Sequence, residues 1–452
     1  MQRIDRGAEL LIECLEKKGH EAWVVGGCVR DAFLGKEPKD WDICTSARPE
    51  EIMEVFSGDS SDYHTVPTGL KHGTVTVVFR GMPYEVTTYR IDGAYQDHRH
   101  PDEVRFVDSV DEDLSRRDFT INSMAYHPVR GLRDPFHGED DLKKGIIRCV
   151  GVSEKRFEED ALRILRGLRF ASVLGFSIDH DTDAAIRRLY PTLSMVASER
   201  IQTELVKLLC GEGAGQILRT YPEVVVHILP ELRDCIGFEQ HNPHHLYDVY
   251  EHTVRAVDAS PKEKVLRLTM LFHDTGKPGT FQMDDAGIGH MHGHEKLSAA
   301  LALQAMDRLR MDIKTRDQVE LLVLHHDISL SPDRKLLLRR LNQLGEESFL
   351  QLLEVQRADE TAKGTVEQKK IELRHDEMLS ALQALLAEKP CYTLSSLQVR
   401  GGDMMELGLR GKEIGQMLET LLQNVMNGTV DNVKEELLSF ARASLAQRYQ
   451  NG

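Results

Sequence analysis

A strand that ends at two glycines, Ala22-Trp23-Val24-Val25-Gly26-Gly27, followed by the carboxylate pair of Lys39-Asp40-Trp41-Asp42-Ile43, restricts how this chain can fold. The apolar run reads as a strand, the glycines as a tight turn, and Val29 to Leu34 as a short helix stopped by Gly35. A strand, a glycine turn and a helix N-terminus together offer backbone N–H groups to an anion. The spacing matches neither the dinucleotide-binding G-x-G-x-x-G nor a P-loop. If Lys39 to Ile43 is a strand, Asp40 and Asp42 share a face. Two hard oxygen ligands so placed suit Mg²⁺, whose shell is completed by water and substrate phosphates. An isolated D-x-D is more often a pair of solvated loop aspartates, so its neighbours must decide.

Those neighbours favour a sheet. Thr74 to Phe79 and Tyr84 to Arg90 are rich in β-branched and aromatic residues, and Arg80-Gly81-Met82-Pro83 joins them as a hairpin. On the second strand Glu85, Thr87 and Tyr89 share a face, which would set Glu85 beside Asp40 and Asp42. Three carboxylates at one sheet edge make a two-metal site for in-line phosphoryl or nucleotidyl transfer. Residues 91–118 form a polar, charged loop expected to be mobile, ending in Ser115-Arg116-Arg117-Asp118-Phe119-Thr120-Ile121-Asn122. The run from Arg156 to Phe176 predicts one helix, with Phe157, Ala161, Ile164, Leu165 and Leu168 as its apolar stripe and Gly175 as C-cap. Glu159, Asp160 and Arg163 fall on one exposed face of that helix, the usual pattern of a surface salt bridge. The same acceptor and donor pair can match the hydrogen-bonding edge of a base.

The totals set limits rather than functions. A chain of 452 residues is too long for one core and suggests two to four domains. A net charge of −16 argues against indiscriminate attraction to nucleic acid, so any such partner must be met by local clusters. Seven cysteines without a C-x-x-C spacing fit a reducing cytoplasm. Leu10, Leu11, Cys14 and Leu15 read as an amphipathic helix instead of a signal peptide, and no run is long and apolar enough to span a membrane.

Six motifs now stand in order: Gly26-Gly27 with Arg30-Asp31, Asp40-x-Asp42, Glu85-Val-Thr-Thr, Arg116 to Asn122, Glu159-Asp160-x-x-Arg163, and Ser198-Glu-Arg-Ile201. Together they resemble the class II tRNA nucleotidyltransferases, the CCA-adding enzymes and their bacterial poly(A) polymerase relatives, densely over residues 20–210. The resemblance implies an α/β head of the polymerase-β-like kind, with a mixed sheet, followed by an all-α neck, body and tail. It implies Mg²⁺ on Asp40 and Asp42, with Glu85 as third catalytic carboxylate. Gly26, Gly27, Arg30, Arg117, Asp118, Asn122 and Arg166 would meet the nucleotide's sugar and phosphates. Asp160 and Arg163 would pair with the base of CTP or ATP, Glu159 orienting the arginine, so that protein replaces a template. Cytosine and adenine both offer an amino donor beside a ring-nitrogen acceptor, whereas uracil and guanine present a carbonyl and a ring N–H there. Ile91 to Phe106 has the full length of the family's flexible loop, favouring complete CCA or terminal A addition, although His98-Arg99-His100-Pro101 departs from an arginine-rich pattern. Lys143, Lys144, Arg148, Lys155 and Arg156 form the basic cluster expected to hold the tRNA acceptor stem by its phosphates.

A second constellation begins after Pro230. His252, His273-Asp274 in His-Asp-Thr-Gly-Lys, His294 and His325-His326-Asp327 follow the order H…HD…H…H…D. Imidazole and carboxylate ligands on facing helices suit Mn, Fe, Ni or Mg and an activated water. The pattern resembles an HD phosphohydrolase domain acting on RNA ends. His252, His273, Asp274 and Asp327 are its expected metal ligands, and His325 and His326 are both left open as the next one. Leu397 to Gly415 resembles the tRNA-holding C-terminal segment of bacterial CCA-adding enzymes. The expected organisation is a head over 1–142, a neck over 143–225, an HD body over 226–340 and a tail over 341–452. The expected partners are tRNA, CTP and ATP. Rival readings are an A-adding enzyme, a poly(A) polymerase, or an HD phosphohydrolase with a non-catalytic RNA-binding head.

Overall fold

The computed structural model describes residues 4–57, 62–92, 104–242 and 246–450. The chain divides into two compact units, Met1–Arg233 with Ala305–Met311, and Asp234–Gln304 with Asp312–Gly452.

The first unit is built on a seven-stranded mixed sheet. Helix α1 (Arg6–Lys17) starts where the Asp5 side chain accepts from the Ala8 N–H at 3.1 Å, and it buries Leu11, Ile12 and Leu15. Strand β1 (Ala22–Val25) is buried along its whole length, as a central strand must be. It turns through Gly26 into α2 (Gly27–Phe33). Next come β2 (Asp42–Thr45), α3 (Pro49–Val55), β3 (Tyr63–Gly69), β4 (Thr74–Phe79) and β5 (Met82–Thr88). Strands β4 and β5 pair antiparallel, and the turn between them is shorter than the sequence suggested. Only Arg80 and Gly81 make it, both at positive φ (49° and 84°), the two-residue geometry that matches strand twist. With β8 (Ala125–His127) and β9 (Gly131–Arg133), the sheet order is β3-β4-β5-β2-β1-β8-β9.

The β2–β5 pair is parallel, and its register sets Asp42 opposite Glu85. Tyr84, Val86 and Thr88 face the core while Glu85 lies on the exposed face. Tyr89 does not share that face: β5 ends at Thr88, and the Tyr89 ring turns inward, its hydroxyl donating to Glu21 at 3.2 Å. In the charged stretch after it, β6 (Arg90–Asp92) and β7 (Val104–Phe106) pair as an antiparallel ribbon before α4 (Val110–Ser115). The loop residues 93–103 lie outside the described residues.

Beyond the sheet and α5 (Gly138–Lys144), the predicted long helix is two helices, α6 (Ser153–Glu159) and α7 (Leu162–Leu174). They are broken at Asp160, whose backbone is extended (φ −140°, ψ 104°). The Asp160 carboxylate accepts from the Leu162 N–H at 3.0 Å and so starts the second helix itself. Gly175, at φ 70°, ends it as expected.

Among its described residues the second unit is mainly helical, with one short hairpin, Gln282–Met283 against Gly289–His290. Helices Val249–Ala259, Lys264–Phe272, Ile313–His325 and Glu346–Lys363 pack on one another. A further apolar core joins Leu337, Phe349, Leu382, Leu397, Leu421 and Leu437, so the Leu397 to Gly415 segment packs helices there. All seven cysteines are free, and no helix among the described residues is long and apolar enough to cross a membrane.

Candidate active site of the first unit and a histidine cluster of the second

At the C-terminal end of β1 the chain must turn sharply, and Gly26 does so at φ 81°, ψ −128°. A Cβ there would stand 3.0 Å from Nη1 of Arg117. Gly26→Ala is therefore expected to cost roughly 1–3 kcal/mol in backbone strain and to weaken nucleotide binding. Urea denaturation and CTP titration of the variant check both, and an unchanged midpoint contradicts the strain.

Gly26 and Gly27 floor a cleft of about 340 Å³ whose walls include Arg30, Asp42, Arg117, Asp118, Asn122, Asp160, Arg163 and Arg166. These residues are spread over more than 130 positions of sequence, and four of them, Arg30, Asn122, Asp118 and Arg166, are joined in one hydrogen-bond network. Arg30 donates to the Asn122 side-chain oxygen at 2.6 Å, and the Asn122 amide donates to Asp118 at 3.1 Å. Asp118 also accepts from Arg166 Nε at 2.9 Å. Burial pushes the Asp118 carboxyl up, but Arg166 and Asn122 outweigh it and hold the group well below the usual carboxylate range. The network is thus fixed in its ionised form.

Asp42 behaves oppositely. Burial first, then the neighbouring Glu85, raise its carboxyl to about 6, with Asp40 adding to the repulsion and Arg117 opposing it. Carboxylates crowded in this way are what a divalent cation relieves, so the donor set fits Mg²⁺. The Asp40 expectation needs correction, however. The sheet register ends at Asp42, so Asp40 lies before the strand in a bend and is exposed, and no same-face alternation places it.

Arg163 is also not where surface periodicity put it. It is buried, and donates to Glu159 at 2.7 Å and to the carbonyls of Arg116 at 3.0 Å and Arg156 at 3.3 Å. Asp160 is gripped by Arg200 at 2.8 Å. Both line the cleft, Asp160 at the break between α6 and α7 and Arg163 in the first turn of α7.

Three contributors carry no sequence signal of their own role. Arg200 stands within the Ser198 to Ile201 motif, where nothing local marks it as the partner of Asp160. Asp113, fully buried, accepts from Arg116 at 3.0 Å, from Arg117 at 3.1 Å and from the Arg90 N–H at 3.3 Å, tying both arginines to the base of the β6–β7 ribbon. Glu204 pairs with Arg169 at 2.7 Å, beneath Phe170. Of the basic cluster, Arg148 pairs with Asp141 and Asp179, Lys143 pairs with Glu139, and Arg156 pairs with Glu159. Lys144 and Lys155 are exposed.

In the second unit His252, His273, Asp274 and Asp359 present ligand atoms within 4.8 Å of one another, and Asp274, His294 and His326 form a second such group. His326 and not His325 is the inward histidine. Asp327 is exposed, because the chain leaves helix Ile313–His325 there and only His326 folds back. Asp359, from helix Glu346–Lys363 in a segment that carries no motif, stands in the first group beside His252.

The mixed sheet, its carboxylate edge and the cleft lined by Asp160 and Arg163 define a nucleotidyltransferase head. Family models agree: the poly A polymerase head domain matches residues 22–148, the RNA and SrmB-binding region of polymerase A matches 175–235, and tRNA nucleotidyltransferase domain 2 matches 293–441. The CCA-adding enzyme of Enterococcus faecalis is 34% identical over 435 residues, 96% of this chain and 94% of that protein. The chain belongs to the CCA-adding enzyme family. With the CCA-adding enzyme of Leuconostoc mesenteroides the identity is 48% over 224 residues, 49% of this chain and 54% of that protein, so this match spans about half of its length. The crystal structure of the Bacillus stearothermophilus CCA-adding enzyme in complex with CTP superposes with a TM-score of 0.74 at 30% identity, covering 98% of each chain.

Proposed function

We propose that this protein adds CCA to the 3′ end of tRNA, using CTP and ATP, in the cytoplasm. The observation that carries the reading is the meeting of Asp42, the Arg30–Asn122–Asp118–Arg166 network and the Asp160 and Arg163 pair in one cleft. Asp40 and Asp42, with Glu85 alongside, would hold Mg²⁺, which when bound supplies activation of the attacking hydroxyl and charge neutralisation at the leaving pyrophosphate. Arg117, fixed by Asp113 in the wall of the cleft, would meet the triphosphate. Asp160 accepts from the amino group of C or A while Arg163 donates to the adjacent ring nitrogen, so that U and G leave buried partners mismatched. Lys144 and Lys155 offer uncommitted positive charge for the acceptor-stem backbone.

Incorporation on tRNA ending at the discriminator base, at C and at CC tests this directly. Successive C, C and A on the first substrate is the expected result. Addition of A only to the CC-ending tRNA would make this an A-adding enzyme, and runs of A would make it a poly(A) polymerase. For the second unit we infer a divalent metal centre of the HD phosphohydrolase kind, on His252, His273, Asp274 and Asp359, acting on phosphates at RNA ends.

A further inference from the structure

Asp42 separates two different surfaces. On one side of β2 lies β1, and the cleft floored by Gly26 and Gly27 reaches Asp42 from there. Its walls include, among the described residues, none from β3, β4 or β5. Those three strands lie on the other side of β2, and their register sets Val66, Thr76, Glu85 and Asp42 in one row across the sheet. Alternation along β4 sends Val75, Val77 and Phe79 to the core and turns Thr74 and Thr76 to the face that carries Glu85.

The composition of this face is unlike that of the rest of the chain. Of all residues 29% are charged, yet Glu85 is the one Asp, Glu, Lys or Arg in the three strands. A face kept only for solubility carries charges of both signs. This one carries hydroxyls instead, and they are paired. Oγ1 of Thr68 lies 2.9 Å from Oγ1 of Thr76, and Oγ1 of Thr74 lies 3.2 Å from Oγ1 of Thr87. Within each pair one hydroxyl donates and the other accepts, which leaves the accepting one its own proton for a partner outside the pair. Lone pairs remain on both oxygens, so each pair can donate to and accept from a single ligand group. A ribose 2′-hydroxyl is such a group, being both donor and acceptor. Val66, 40% exposed at the end of the row, gives a base an apolar rest, and the exposed Lys71 after β3 gives a phosphate a positive charge.

We propose that this threonine face is the track of the acceptor RNA, on which the last sugars before the growing 3′ end are held by the Thr68–Thr76 and Thr74–Thr87 pairs. The placement rests on the reading of function above. In-line transfer forms the bond from the acceptor 3′ oxygen to the α-phosphorus opposite the bond to pyrophosphate that breaks. With the triphosphate in the Gly26 cleft on the β1 side of Asp42, the acceptor hydroxyl arrives from the β5 side, past Glu85. Neutral hydroxyls suit that approach, because a lysine in the row would compete for Glu85 and a further carboxylate would repel the phosphates.

The test uses the full chain and tRNA ending in C, prepared once with all its ribose and once with 2′-deoxy sugars in its last three nucleotides. Two double variants, Thr68→Val with Thr76→Val and Thr74→Val with Thr87→Val, each remove one pair and keep the β-branched shape that strands favour. Urea midpoints verify that both fold. Each should slow single-turnover incorporation of CTP by about 3- to 10-fold, with CTP affinity in the absence of tRNA unchanged. The deoxy end should slow the wild type and should slow the variants much less, because the hydroxyls it would have met are already gone. Losses that simply multiply overturn the sugar contact, which a purely structural role of the threonines would produce. Wild-type rates in both variants overturn the track, and so does a loss confined to CTP affinity. A wild-type chain that adds nothing to either tRNA overturns the reading of function, and the track falls with it.

Discussion

Asp42→Asn is expected to remove incorporation of CTP and ATP alike, by roughly 10³-fold or more in kcat/KM, and to make the metal-free protein more stable at pH 7.5. Both effects come from one carboxylate. Asp42 sits where β2 pairs with β5, opposite Glu85, and burial and that neighbour raise its carboxyl from an ordinary 3.8 to about 6. The unfolded chain ionises this group near 4 and the folded protein only near 6. Between those values the folded state binds more protons, so stability falls as pH rises through the window and stays reduced above it. Asparagine keeps the shape and the register without the charge. Discounted for partial exposure, the gain is about 1–3 kcal/mol above pH 6, since each tenfold change in proton affinity on folding is worth roughly 1.4 kcal/mol. Melting in EDTA at pH 7.5 should show it, and the gain should shrink toward pH 4. Mg²⁺ should narrow the gap by stabilising only the wild type. A variant that still incorporates one nucleotide, or is no more stable at pH 7.5, contradicts the assignment.

How much of this was legible in sequence depends on whether a feature is local. The strand, glycine turn and helix over Ala22 to Phe33 and the β4–β5 hairpin follow from local propensity. The pairing of Asp42 with Glu85 was reachable from strand alternation on one side, but the parallel register that delivers it belongs to the sheet. The break at Asp160 was hidden because apolar periodicity continues straight through it. Only the capping habit of an aspartate, in the middle of a helical run, hinted at it. Asp359 had no signature at all: on helix Glu346–Lys363 it looks like one half of an exposed pair with Lys363. Its role arises from the packing of that helix on Val249–Ala259, a contact between segments about a hundred residues apart. Asp327 was favoured because it stood next to the histidines, and adjacency in sequence is no guide to direction where a helix ends.

Arg163→Ala should act on which nucleotide is transferred. Arg163 donates to Glu159 and to two backbone carbonyls, a geometry that fixes the guanidinium without using all of its five N–H donors. Asp160, held by Arg200 and by the cap it makes on α7, is fixed as an acceptor beside it. An ionised carboxylate cannot donate and a guanidinium cannot accept, so a carbonyl meeting Asp160 or a ring N–H meeting Arg163 is left unpaired in a buried place. Each such mismatch costs about 1–3 kcal/mol, which is roughly 10- to 100-fold in rate. Removing Arg163 should therefore lower kcat/KM for CTP and ATP while leaving the slow use of UTP and GTP nearly unchanged, so the C-over-U ratio falls by about 10- to 100-fold. Arg163→Lys should recover little of it, because one ammonium cannot reproduce both the planar anchor to Glu159 and the donor to the base. Residual turnover of Asp42→Asn should keep the wild-type ratio, since the role proposed for that carboxylate is to hold the ions at the phosphates and not to meet the base. Single-turnover incorporation of all four nucleotides on tRNA ending in C, with urea midpoints to verify folding, separates the two roles. Equal losses in both variants with selectivity untouched would show that base choice lies elsewhere in the cleft.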